Sequence, residues 1–229
     1  MWDMPKLVDY AARFEFLREA AFAVVLEDGP AALSRHSLAD ALGTSASTIR
    51  RLLSPNASLP GLAAAAVERR RRHGRWGMPR SGDRPEENAL RLIESIIPDS
   101  DERLDEETVW LKLVLHQPGV QPLDAKRDLR ERYAVYEHGW SEPTEELSET
   151  RDDPALARAI AQRETYVRIQ LLRLAQELDV PEVDRPRFLR RVRTHLDGIT
   201  FGLCLGHLTR EEAREQVGDL VRTVSRLTW

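Results

Sequence analysis

Among its 229 residues the chain has a single cysteine, few aromatics and no strand-like alternation, and each shortage removes a class of protein. Cys204 alone cannot form an internal disulfide, which fits a reducing cytoplasm. The longest apolar stretches, 62–67 and 199–205, fall far short of the roughly 20 residues that span a bilayer. Met-Trp-Asp-Met-Pro-Lys at the start lacks a basic stretch followed by an apolar run, so no secretory signal is expected. No run of alternating β-branched residues and no Asn-Gly hairpin turn appears, and the chain reads as all-α.

Chemistry is equally sparse. The six histidines, at 36, 73, 116, 138, 195 and 207, have no partner at a ligand-like spacing, so no metal site is expected. There is no glycine-rich phosphate loop and no Gly-x-Ser-x-Gly elbow. Glu106-Glu107 and Glu145-Glu146 are adjacent, and adjacent side chains diverge on a helix. Cys204, within an apolar run, reads as a small core residue. No catalytic residue and no cofactor are expected, and an all-helical enzyme is the weakest of the functional alternatives.

What the chain does have is 31% charged and 41% hydrophobic residues, unevenly arranged. The net charge of −4 hides a basic start: residues 1–80 hold 12 Lys and Arg against 8 Asp and Glu, and the remainder 22 against 30. A basic part joined to an acidic part suits a nucleic-acid-facing unit on a body that need not approach phosphates. The densest charge, Arg69 to Arg72 with Arg75, reads first as a solvated helix end favoured by the helix dipole, and second as extra long-range attraction for DNA.

Glycines and prolines divide the chain into about nine or ten helices. A first helix over 6–27 places Phe14, Leu17, Ala21, Val24 and Val25 on one stripe. Ser34 caps a short second helix closed by Gly43, Ser45 caps a third stopped at Ser54-Pro55, and Ser58 caps a fourth with Pro60 in its first turn. Further helices are expected over 86–97, 105–116, 123–139, 155–178 and 188–205, and from a capping box at Thr209 and Glu212. The linker candidate is 74–85, dividing the chain into 1–75 and 76–229.

The stretch from Ser34 to Leu53 is the informative one. Two short helices crossing steeply need a small residue at the crossing, apolar residues behind it and a turn residue able to adopt positive φ. Ala39, Leu38 with Leu42, and Gly43 supply these. Ile49, Leu52 and Leu53 are spaced to bury one face of the second short helix. Ser45, Ser47, Thr48, Arg50 and Arg51 leave the other face short, hydroxyl-bearing and basic, as entry to a major groove requires. Ser45 at the helix start also leaves free N–H groups facing an anion. A compact helical hairpin in any Ala-, Leu- and Arg-rich chain offers the same pattern.

The first 70 residues resemble the DNA-binding domain of the tetracycline-repressor (TetR) family of bacterial transcription regulators. The resemblance lies in Arg13, Phe16-Leu17, Ala20-Ala21 and Gly29, and in Leu38-Ala39, Gly43, Ser45, Thr48-Ile49 and Leu53. It departs at Arg50, Leu53 and Asn56, where the family usually has tyrosine, an aromatic and lysine. The resemblance implies a helix-turn-helix on a larger helical ligand-binding and dimerisation domain, bound to a palindromic double-stranded operator as a homodimer. The expected contact set is Ser34, Arg35, Thr44, Ser45, Ser47, Thr48, Arg50 and Arg51. A helical adaptor of the same fold that binds a protein is the alternative.

The C-terminal half carries two further expectations. Leu196-Asp197-Gly198 resembles the family's penultimate helix, whose last two helices form a bundle across a dimer axis. Gly198 and Gly202 lie four apart, a costly choice in a helix unless a backbone comes close. The expected dimer face is Val192, Leu196, Gly198, Ile199, Gly202, Leu203, Val217, Leu220, Val221 and Val224; completion of the monomer core is the plainer reading. A pocket for a small-molecule effector is expected from Trp110, Val114, Tyr133, Tyr136, Trp140, Tyr166 and Gln170, since pockets are lined by aromatic and apolar groups with a few polar ones.

Overall fold

The computed structural model describes residues 10–53, 57–73, 82–116 and 153–225. Within them are nine α-helices, one 3₁₀ turn and no strand. Tyr133, Tyr136, Trp140 and most of the expected 74–85 linker lie outside the described residues.

Helix α1 (Tyr10–Asp28) buries Leu17, Ala21, Val24 and Val25. Phe14, expected on the same stripe, is 38% exposed instead: it stands at the edge of that stripe, a full turn before the first fully buried residue. Gly29, at φ 85°, ends the helix and Pro30 opens the 3₁₀ turn Pro30–Ala32, which the sequence pattern had not signalled. Helices α2 (Arg35–Ala41) and α3 (Ala46–Leu52) follow, then α4 (Leu59–His73). Beyond them lie α5 (Pro85–Glu94), α6 (Asp101–Leu115), α7 (Pro154–Glu177), α8 (Arg185–Cys204) and α9 (Arg210–Ser225). Helix α6 starts about a turn before its expected position because Ser100, not a later residue, caps it by accepting from the Arg103 N–H.

Two apolar cores organise these helices. The first joins α1 to α4, and is closed by Val109, Trp110 and Leu113 of α6 and by Leu156, Ala159 and Ile160 of α7. The second is built from α5, α8, α9 and the later half of α7 around the fully buried Phe188. The 24 residues of α7 span about 36 Å and therefore reach both. Packing of the N-terminal unit thus continues past residue 75 into helices of the larger unit.

Helices α4 and α7 begin side by side. The Ser58 hydroxyl accepts from the Gly61 N–H at 2.6 Å and donates to the Asp153 carboxylate, whose other oxygen caps α7 at the N–H groups of Ala155 and Leu156. A Cβ at Gly61 would stand 2.7 Å from that of Ala155 and 2.6 Å from the Ser58 hydroxyl. Gly61→Ala is therefore expected to destabilise the chain by about 1–2 kcal/mol, overpacking outweighing the gain in helix propensity. A raised melting temperature would show that the two helix starts are free to part.

Candidate nucleic-acid interface

Ser34 caps α2: its hydroxyl accepts from the Ser37 N–H at 3.1 Å, while the Ser37 hydroxyl accepts from the Ser34 N–H at 2.9 Å. Serine thus does at the third position what Glu or Gln usually does, a substitution the sequence reading passed over. At the other end Thr44 N–H donates to the Ala39 carbonyl at 2.9 Å and Gly43 N–H to that of Asp40 at 3.1 Å. This paired closure needs a left-handed residue, and Gly43 sits at φ 58°. Two residues later Ser45 caps α3, accepting from the Thr48 N–H at 3.2 Å. A glycine closure followed at once by a serine cap confines the break between α2 and α3 to residues 42–45.

Burial then sorts the two faces of α3. Leu38, Ala39, Ile49 and Leu53 lie in the first core. At about 100° per residue, Ser47 and Arg51 occupy the centre of the opposite arc, with Arg50 and Thr48 on its flanks. Ser34, Thr44, Ser45, Ser47, Arg50 and Arg51 are exposed, and Arg35 and Thr48 partly so. The Ser45 hydroxyl lies 2.8 Å from that of Ser47 and 3.0 Å from that of Thr48, a tight hydroxyl group at the start of the helix. Among the described residues neither Arg50 nor Arg51 meets a carboxylate.

The arginine run of α4 differs. Arg69 pairs with Glu15 and Arg70 with Glu19, both on α1, and the Arg70 guanidinium lies 3.9 Å from the Phe22 ring centre. Arg71 is buried, 2.8 Å from Glu107 and 3.3 Å from Glu68. Arg69 is exposed, as a solvated helix end would be, though it also meets Glu15; Arg70 and buried Arg71 depart from both readings of the run and hold α4 to α1 and α6.

The described members of the expected pocket divide between the cores. Trp110 is buried in the first core with Val114 packed against that core, Tyr166 packs against the second, and Gln170 is buried nearby on α7. Charge stands beside both rings: Arg71 lies over that of Trp110 at 5.2 Å, and Arg163 over that of Tyr166 at 5.9 Å. Between them lies a feature that spacing had dismissed. Glu107, buried on α6, accepts from Arg163 at 2.5 Å and pairs with Arg71, so one carboxylate serves two guanidiniums from different helices. Burial penalises its charged form, but Arg163 and Arg71 outweigh that and hold its carboxyl below the usual range. Burial and the neighbouring Arg71 bring the Arg163 guanidinium down to about 10. Adjacent Glu106, also buried, is pushed up by its loss of water. The missed signal was a charge at core positions of two apolar stripes, Glu106 and Glu107 before Val109-Trp110 and Arg163 between Ile160 and Val167.

The expected dimer face needs correction. Val192, Leu196, Ile199, Leu203, Val217, Leu220, Val221 and Val224 are all buried within the chain's own second core, so their stripes are already used by the monomer. Gly202 meets the side chain of Leu208 rather than another backbone, and accommodates the turn between α8 and α9. Gly198 alone of the set faces outward, with nothing within 4 Å of an added Cβ. Cys204 is half-buried, its thiol pushed up to about 11 by burial, as befits a packing residue.

Among the described residues no group of three or more His, Cys, Asp or Glu could hold a metal ion, and no helix is long and apolar enough to cross a membrane. Fold and site together define an all-helical protein with an N-terminal helix-turn-helix unit seated on a larger helical body. Among solved structures the chain is similar to a Rhodococcus sp. protein assigned to the TetR family of transcriptional regulators. The two share 16% identity and superpose with a TM-score of 0.61 over 93% of this chain and 99% of that one. The likeness is one of fold. No protein-family model matches the sequence, and no curated protein matches it either.

Proposed function

We propose that this chain is a DNA-binding transcription regulator, a cytoplasmic homodimer that recognises a palindromic operator through α3 and is released by a small molecule. The observation that carries this reading is the state of the arginines. Arg69, Arg70 and Arg71 each meet a carboxylate, whereas Arg50 and Arg51 stand exposed on the outer arc of α3 beside Ser47 and Thr48 with no acid to meet them among the described residues. A short helix backed by a rigid core and fronted by hydroxyls and two free guanidiniums fits a groove about 12 Å wide, where arginine reads guanine edges and phosphates. Ser45, Ser47, Thr48 and Arg51 are assigned to bases, and Ser34, Arg35 and Arg50 to phosphates, with Thr44 beside them.

A two-fold assembly matches such a helix to half-sites one helical turn apart, or a multiple of it. The outward side of α8 around Gly198 is the surface assigned to that contact, in place of the buried stripes. A ligand that lowers operator affinity must bind the free and DNA-bound forms unequally, and DNA must oppose the ligand by the same factor. Repression relieved by the ligand is the sign of regulation proposed.

Selection of bound sequences from a random double-stranded pool tests this directly. An enriched site with two inverted half-sites is the expected result. Enrichment of no sequence, at low as well as moderate salt, would overturn the reading and leave the protein-binding adaptor in its place.

A further inference from the structure

A groove of about 550 Å³ opens where α1, α4 and α7 meet, and it is lined by none of the residues expected to form a pocket. Its floor is made of small residues from two facing helices: Gly61 and Ala65 one turn apart on α4, Ala155 and Ala159 one turn apart on α7. Its rim carries three arginines from three helices, Arg18, Arg69 and Arg158, with Glu68 and the Gln162 amide. The volume lies within the range of small-molecule sites.

The charge around the groove is not balanced. Arg18 and Arg69 share the single carboxylate of Glu15, Arg18 at 2.7 Å. Glu68 turns its carboxylate to Arg71, which lies outside the lining. Arg158 is exposed and has no acidic partner among the described residues. The Arg18 Nε is buried and closed to the groove, so Arg18 faces the groove through its terminal nitrogens, one of which already meets Glu15.

We infer that this groove binds a small polyanion, a molecule carrying two or more phosphate or carboxylate groups. Arg18 and Arg158 close on it from opposite rims, Gln162 donates from the next turn of α7, and the alanine floor admits the body of the ligand. Planar guanidiniums converging from separate helices suit paired oxygens better than they suit a single point charge. Because α1 and α4 also carry the helix-turn-helix, this site is assigned to the effector; that role rests on the regulator reading, whereas the binding itself does not.

Isothermal titration of the full chain without DNA, at fixed ionic strength set by sodium chloride, tests the binding alone. Pyrophosphate and citrate serve as the phosphate and carboxylate probes. Saturable binding of either is expected, and the stronger one names the chemistry. Arg158→Glu, on the surface, is expected to weaken it at least about tenfold, the loss of one charge-assisted contact and its replacement by repulsion. Ala65→Leu, which fills the floor and keeps every charge, is expected to weaken it too. Absence of saturable binding by both probes overturns the inference, as does an unchanged affinity in either folded variant. Neither result bears on whether α3 binds DNA.

Discussion

Charge reversal at the two free arginines of α3, Arg50→Glu with Arg51→Glu, is expected to abolish sequence-specific DNA binding while leaving the fold intact. In the proposed dimer the change would remove four guanidiniums from the duplex. At about 1–3 kcal/mol for each good base contact, and repulsion from phosphates in addition, affinity falls by roughly 10³-fold or more. Fluorescence anisotropy with the selected operator measures this. Neither side chain is buried or paired with a carboxylate, so little packing is lost. Both lie in the last turn of α3, where cations suit the helix dipole, so a stability cost of up to about 1 kcal/mol is expected for their reversal. Arg50→Gln with Arg51→Gln keeps the helix end neutral and should weaken binding less while lowering the salt dependence. Undiminished affinity in the glutamate variant would mean that another surface meets the duplex.

Glu107→Ala is expected to be strongly destabilising. It leaves Arg71 and Arg163 buried at the junction of α4, α6 and α7 with their shared anion gone. Breaking a buried ion pair from one side costs about 3–5 kcal/mol, and for a chain of this size each kcal/mol lowers the melting temperature by about 2–4 °C. Removing Arg163 as well, as Glu107→Leu with Arg163→Met, should recover part of the loss, since each half of the pair is costly mainly when left alone. If the single variant melts like the parent protein, the cluster is not buried in solution.

The pH dependence has a definite sign at each neighbouring glutamate. The Glu107 carboxyl titrates below its unfolded value, so its contribution is complete above the unfolded pKa of about 4.3 and is lost as pH falls through the folded value. Glu106 is shifted upward by burial, so its charged form costs stability at neutral pH, and that cost disappears as pH falls through its raised value. Glu106→Gln should therefore leave stability at pH 7 unchanged or improved, in contrast to Glu107→Ala. The two residues are adjacent, yet only one of them faces a pair of guanidiniums.

Much of the N-terminal unit was legible because its determinants are local. Ser34, Gly43 and Ser45 act within four residues of themselves, through caps and one left-handed turn, and Ser58 caps α4 in the same way although its hydroxyl also reaches Asp153. The position of α3's polar arc followed from helical period alone. The start of α6 was misplaced because Ser100 competes with later acidic residues as a cap, and only the backbone geometry decides between them.

Three matters were beyond any local reading, for one reason: they depend on which helix faces which. An apolar stripe on α8 or α9 has the same period whether it meets a second chain or the chain's own core, and packing against α5 and α7 assigns it to the core. An arginine run looks basic until α1 brings Glu15 and Glu19 against it. Arg71, Glu107 and Arg163, far apart along the chain, become one cluster only when α4, α6 and α7 converge. Local chemistry sufficed for an all-helical chain whose third helix turns a small basic face outward, because caps, turns and period act over a few residues. Only the folded arrangement assigned Arg69 to Arg71, Glu107 and Arg163 their partners and the stripes of α8 and α9 to the core, because burial and ion pairing are set by distant segments meeting in space.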